Sequence, residues 1–249
     1  MVQEEGAVTV DQNHYIDNLE LPYKQYDDSD DLDSVLGDEG QVEFRSIVGR
    51  IGYVANSSRP DLAFDNLVLS LRLGKASARD MKQACKVIKK MKNGKTTMKF
   101  VDLGPVEGWT VQGFGDAGYK SLPDKTSSCG GQVIIVSNVQ QGTACVLDWK
   151  SKKLKRVVTS STAAETYAAN DTLDEMVYVK SVLVELFKER AVDVPLELVT
   201  DSKNLHKSVL GSTLVENPRL RTEVAKLKES LKNRELSKFD RVDGQQMLC

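Results

Sequence analysis

Beyond Gly104-Pro105 the hydrophobic pattern of the chain changes, and the order of segments that follows restricts the fold more than any other feature. Trp109 to Phe114, Gly131 to Val136 and Thr143 to Trp149 read as successive strands separated by polar or glycine-containing turns. Ser160 to Lys188 reads as one long helix, with Ala164, Tyr167, Ala168, Leu173, Val177, Val182 and Leu186 available for burial. A short apolar strand at Leu196 to Thr200 and a short helix at Leu205 to Leu210 come next. An amphipathic helix through Val224, Leu227 and Leu231 (Arg219 to Lys232) and a last strand at Leu236 to Val242 complete the series. The order β-β-β-α-β-α-β predicts a mixed five-stranded sheet with helices on its faces, an α/β fold.

The part before Gly104 is helical in pattern. Ala7 to Val10 reads as a short strand, and His14 to Leu21 as a turn or short helix. From Tyr23 to Gln41 the chain turns acidic and small, a composition that reads as a mobile linker without a core. Three helices follow. Phe44, Ile47, Val48, Ile51 and Val54 recur at helical spacing in the first. Arg59-Pro60-Asp61 opens the second, with Pro60 suited to a first turn and Leu67, Val68 and Leu71 as its apolar stripe. Ser77 and Asp80 stand at capping-box spacing in front of the third, whose apolar face is Met81, Ala84, Ile88 and Met91. Asn93-Gly94 and a strand from Thr97 to Val101 close the trio.

Length and composition set the outer limits. With 249 residues, 40% hydrophobic and 28% charged, the chain is an ordinary globular one. No apolar run reaches the roughly 18–20 residues needed to cross a bilayer, and Met-Val-Gln-Glu-Glu lacks the features of a secretory signal. An intracellular protein, cytoplasmic or nuclear, is expected, with no membrane partner. Cys85, Cys129, Cys145 and Cys249 have neither metal-motif spacing nor the density of a disulfide framework, so they read as free thiols. Two histidines, His14 and His206, give no basis for a His-rich zinc site. The net charge of −2 conceals an asymmetry: residues 1–43 hold 13 acidic side chains and one basic one, giving −12 and leaving +10 for the rest. A polyanionic partner fits the body of the chain and not its first forty residues. Lys86, Lys89 and Lys90 on the third helix, and Lys150, Lys152, Lys153, Lys155 and Arg156 before the long helix, are the candidate nucleic-acid-binding residues. The same clusters also read as solvated faces.

Asp116, Glu165 and Asp201 carry the chemistry. They lie in Gly-Phe-Gly-Asp-Ala-Gly-Tyr (113–119), Ser-Ser-Thr-Ala-Ala-Glu-Thr-Tyr (160–167) and Leu-Val-Thr-Asp-Ser-Lys (198–203), read as strand, helix and strand. Acids at two strand ends and on a helix can converge on one point, and hard divalent cations require such a set of oxygen ligands. The pattern fits a metal-dependent nuclease core.

These residues resemble the RNase H domain of copia-type LTR retrotransposon Pol polyproteins. The family pattern x-Asp-Ala-Asp-Trp-Ala after an apolar or aromatic residue stands here as Phe114-Gly115-Asp116-Ala117-Gly118-Tyr119-Lys120. Its Ser-x-Lys-Lys and Ser-Ser-Thr-Glu-Ala-Glu-Tyr stand as Lys150-Ser151-Lys152-Lys153 and Ser160 to Tyr167, and its Cys-Asp-Asn as Thr200-Asp201-Ser202. Upstream, Phe44-Arg45-Ser46-Ile47-Val48-Gly49-Arg50-Ile51-Gly52-Tyr53 and Ser57-Ser58-Arg59-Pro60-Asp61-Leu62-Ala63-Phe64 are similar to the segment that ends the family's reverse transcriptase. The resemblance runs from about residue 7 onward, in family order.

It implies a reverse transcriptase remnant and acidic linker (1–41), a helical thumb or connection segment (42–103) and an RNase H-like domain (108–249). It also implies two Mg2+ ions, with Mn2+ as a substitute, held by Asp116, Glu165 and Asp201 as catalytic and metal-binding residues. Asp116 would bridge the ions. Glu165 would serve the leaving-group side and the substrate's 2′-hydroxyl, and Asp201 the side of the attacking water. The partner would be an RNA–DNA hybrid or another nucleic acid, with an upstream reverse transcriptase palm if the chain belongs to a larger polyprotein. The sequence departs from the family twice. Tyr26-Asp27-Asp28, the nearest string to a polymerase metal motif, lies in the acidic stretch and reads as a charged loop, so polymerase activity is not expected. The family's last carboxylate follows a Gln-Leu-Ala string, and the similar Gln246-Met247-Leu248-Cys249 would place it one position beyond Cys249, with Asp243 as a nearby stand-in. A hydrolase of the ribonuclease H type and a non-catalytic relic that binds nucleic acid or has no activity both remain open. An integrase-like nuclease is the third reading, and the Arg-Pro-Asp segment speaks against it.

Overall fold

A computed structural model describes the chain apart from Met1, Glu5, Asp28, residues 189–192, residues 212–214 and Glu216. The chain divides into two compact units, Met1–Lys99 and Phe100–Cys249.

In the first unit, β1 (Val2–Glu4) and β2 (Ala7–Val10) form an antiparallel hairpin, turned by Gly6 at a φ of 74°. That positive φ falls to the one residue without a Cβ penalty. α1 (Asn13–Asp17) is a single short turn of helix. α2 (Asp38–Ser57) buries the expected stripe of Phe44, Ile47, Val48, Ile51 and Val54. Its first turn carries Asp38 and Glu39, whose charges complement the positive end of the helix dipole. α3 (Ala63–Ser70) follows a 3-10 turn at Pro60–Leu62, and α4 (Ala78–Asn93) packs Met81, Ala84, Ile88 and Met91 against α2's stripe. The Asp80 carboxylate accepts from the backbone N–H of Ser77 at 2.8 Å, so the capping signal in the sequence is used. β3 (Met98–Val101) carries the chain on past Lys99.

Two expectations fail here. α3 starts only at Ala63, after the 3-10 turn, and buries Leu69, while Leu67, Val68 and Leu71 are only half-buried. The acidic stretch is also not without a core: Leu36 is buried in the same cluster as Phe44. Backbone bonds tie this stretch down, from Leu36 N–H to Ala76 O, Ala78 N–H to Ser34 O and Arg79 N–H to Leu32 O, all near 2.9–3.0 Å. One leucine and a satisfied backbone anchor what composition alone would leave loose.

The second unit is built on five strands: β4 (Trp109–Gly118), β5 (Cys129–Asn138), β6 (Thr143–Lys153), β7 (Leu196–Thr200) and β8 (Lys238–Arg241). Their order is β6-β5-β4-β7-β8. The first three form an antiparallel meander, whereas β4–β7 and β7–β8 pair in parallel. Parallel neighbours need crossovers, and helices supply them: α5 (Ser161–Phe187) leads to β7, and α6 (Lys203–Leu210) and α7 (Pro218–Lys232) lead to β8. This is the mixed five-stranded, RNase H-like sheet that the segment order predicts. Ser160 caps α5 by accepting from the N–H of Ala163 at 3.2 Å, and Asn217 caps α7 in the same way. α5 lies close on β4 because Gly113 and Gly115 have no side chains. A Cβ at 113 would collide with Met176 Sδ and come within 2.8 Å of Thr172 Cγ2, and one at 115 would lie 2.7 Å from Thr172 Oγ1.

Candidate metal centre

The strand register brings two of the three carboxylates together. β4 and β7 run parallel with Phe114 opposite Val199, and Asp116 and Asp201 each lie two residues further along. Both therefore emerge at the same edge of the sheet, Asp116 within β4 and Asp201 just after β7. Glu165, in the second turn of α5, is delivered to the same place by the close approach of helix and strand. One ligand oxygen from each of Asp116, Glu165 and Asp201 lies within 4.8 Å of the others.

The electrostatics of the cluster are unbalanced. Glu165 is buried, with 8% exposure, and Asp116 and Asp201 are half-buried. Burial first, and then the charges of Asp116 and Asp201, push the Glu165 carboxyl up to about 8. Asp116 is raised for the same reasons, burial and then Asp201, although the Ala117 N–H donates to its Oδ1 at 2.8 Å. No ion pair reaches these three carboxylates among the described residues, and Glu165 Oε2 is buried without a hydrogen-bond partner. Three convergent hard oxygens and an orphaned buried acceptor form a donor set that fits a divalent cation such as Mg2+.

The exposed Cys249 adjoins this cluster. A Cβ built on Gly131, the register partner of Asp116, would lie 3.8 Å from Cys249 Cβ, and one on Gly244 would lie 3.2 Å from Asp201 Oδ2. The stretch 244–249 thus lies along the carboxylate edge. Asp243 is not in the cluster; it is exposed and pairs with Arg241 at 3.1 Å.

The basic candidates are mostly engaged. Lys150 bonds Glu175 at 2.5 Å, Lys152 pairs with Asp171 at 3.0 Å and Lys153 with Asp124 at 3.5 Å, while Arg156 pairs with Glu223. Lys90 pairs with Asp65 at 2.9 Å. Lys86, Lys89 and Lys155 form no ion pair among the described residues. Exposed pairs of this kind are worth only about 0–1 kcal/mol, so they do not prevent a lysine from turning to a phosphate. Tyr26 and Asp27 lie in an irregular segment outside any strand, with Asp27 accepting from Ser29, and Asp28 lies outside the described residues. His206 is half-buried and stacks on Phe239.

No protein-family model matches the chain. A stretch of 134 residues is 29% identical to the putative transposon Ty5-1 protein of Saccharomyces cerevisiae, covering 53% of this chain and 41% of that protein. The matched region is therefore less than half the length of that curated relative. Among solved structures, the chain is similar to RNase H1 from the archaeon Halobacterium salinarum, at 17% identity and a TM-score of 0.37 over 55% of this chain and 87% of that one. It is similar to LC11-RNase H1 in complex with an RNA/DNA hybrid, at 18% and 0.40 over 56% and 89%. It is also similar to the foamy viral protease-reverse transcriptase in complex with dsDNA, at 14% and 0.45 over 95% and 41%. The strand order makes the second unit an RNase H-like sheet, and the chain is similar to a putative transposon protein. No helix among the described residues is long and apolar enough to cross a membrane.

Proposed function

We propose that the second unit is a metal-dependent nuclease domain of a copia-like Pol protein, hydrolysing the RNA strand of RNA–DNA hybrids without polymerase activity. One observation carries the reading: Asp116, Glu165 and Asp201 converge within 4.8 Å around a buried carboxylate oxygen that has no partner. Mg2+, or Mn2+ in its place, would supply charge neutralisation at the scissile phosphate and an activated water. The protein's part is to hold three acids in one place despite their repulsion. The sheet fixes Asp116 and Asp201, and α5 fixes Glu165. With one oxygen engaged by Ala117 N–H, Asp116 keeps the other for a ligand. Lys152, Lys153, Lys155 and Arg156 would meet the phosphate backbone, and Lys86 and Lys89 are the candidates on the first unit. Such residues read an A-form-like hybrid by its shape and its 2′-hydroxyls.

The test is cleavage of a labelled RNA–DNA hybrid by the full chain with Mg2+ or Mn2+, compared with Asp116→Asn. A loss of about 100-fold or more is expected, the size of effect that electrostatic groups at a reacting centre supply. Equal cleavage by the variant and the parent would sink the assignment. Cleavage by neither, with no rise in melting temperature on adding metal, would favour the non-catalytic relic.

A further inference from the structure

A second cavity on the second unit is lined by none of the three carboxylates. It opens between the exit of β6, α5 and α7, with a volume of about 350 Å3. Its volume is at the low end of small-molecule sites, which run from about 300 to 1,000 Å3. The lining carries five cationic side chains against three anionic ones, so an anion is favoured.

The floor includes Asn170, which is 4% exposed. Its Nδ2 donates to Glu223 O and to Glu223 Oε2, both at 3.1 Å. Both partners are acceptors, which fixes the orientation of the amide and leaves Oδ1 buried with no donor among the described residues. An unmet buried acceptor costs about 1–3 kcal/mol, a cost that a ligand N–H would remove. Beside it, the Arg156 guanidinium sits over the Tyr167 ring at 5.1 Å and also pairs with Glu223. A flat ring and a guanidinium plane are surfaces on which a nucleobase stacks. Lys155, exposed and without an ion pair among the described residues, stands at the rim, and Lys226 makes an exposed pair with Asp174. Asn170 is five residues beyond Glu165, about 7.5 Å along the helix and about 140° around it, so this face of α5 is not the metal face.

We propose that this cavity binds a single nucleotide unit, with its phosphate on Lys155 and Arg156, its base against Tyr167 and a base-edge N–H on Asn170 Oδ1. The unit comes either from a free nucleoside monophosphate or from a single-stranded segment of nucleic acid. The proposal does not depend on nuclease activity, and its test runs in EDTA.

Calorimetric titration of the full chain compares AMP, purine riboside 5′-monophosphate (which lacks the exocyclic amine), ribose 5-phosphate and a five-nucleotide DNA single strand. AMP is expected to bind at one site, about fivefold or more tighter than the purine analogue and ribose 5-phosphate, the discrimination expected of one buried hydrogen bond. Lys155→Glu, an exposed change with no expected effect on melting temperature, should weaken AMP by about fivefold or more through the loss and reversal of a charge. A strand that binds more tightly than AMP and displaces it identifies nucleic acid as the source, and the reverse order identifies the free nucleotide. Lack of AMP binding at millimolar concentration, equal affinity for AMP and ribose 5-phosphate, or indifference to Lys155→Glu would each overturn the proposal. The analogue comparison uses the unaltered protein, so it does not depend on whether an Asn170 variant folds.

Discussion

Each unit buries an ionisable side chain, and the two are treated in opposite ways. In the first unit Arg59 is 2% exposed, and its guanidinium is satisfied by Asp61 at 2.7 and 2.9 Å and by the Met91 carbonyl. In the second unit Glu165 is 8% exposed, faces two more carboxylates and has an oxygen with no partner. A compensated buried charge holds helices together. An uncompensated acid keeps its proton well above the ordinary range instead, and it makes sense where a cation later takes that proton's place.

The largest effect that separates the two is a pH dependence. The Glu165 carboxyl loses its proton near the ordinary 4.5 when unfolded and at about 8 when folded. Between those values the unfolded state holds fewer protons, so this group's contribution makes stability fall as pH rises. Metal-free Glu165→Gln should therefore be more stable than the parent by roughly 2–3 kcal/mol at pH 8, with the gap closing near pH 4. Denaturant melts across that range in EDTA read it directly, and a gap that stays constant with pH would remove the contrast. Next in size, Arg59→Ala should cost about 2 kcal/mol at neutral pH by leaving the Met91 carbonyl and Asp61 without their donor. A cost below about 0.5 kcal/mol in a urea melt would mean that the buried arginine is not a structural tie. The smallest effect is expected at the surface: Lys226→Ala, which removes the exposed pair with Asp174, should change stability by less than about 0.5 kcal/mol. A larger loss would show that surface pairs here do more than balance charge.

Legibility from sequence followed the range of the interactions. β7 was readable to the residue, and the cap of α4 was readable because Ser77 and Asp80 satisfy a local requirement of the helix end. The three carboxylates were readable because each sits in a distinctive local string, and parallel pairing then brings two of them to one edge. Two features were not readable because they depend on contacts distant in sequence. Leu36 is anchored by backbone bonds to residues 76–79, and the burial of Arg59 depends on Met91. The lysines were read as a free basic surface, yet most of them find acids on neighbouring elements that composition does not pair.

Gly113 and Gly115 lead to a consequence of a different kind. Their hydrogens set how near α5 rides to β4, and so they act as a spacer gauge for the distance from Glu165 to Asp116. An alanine at either position leaves every ligand in the chain intact and yet pushes one of them outward. Damage to such a centre can therefore arise at residues that have no chemistry of their own, and a survey of the acids alone would pass over it.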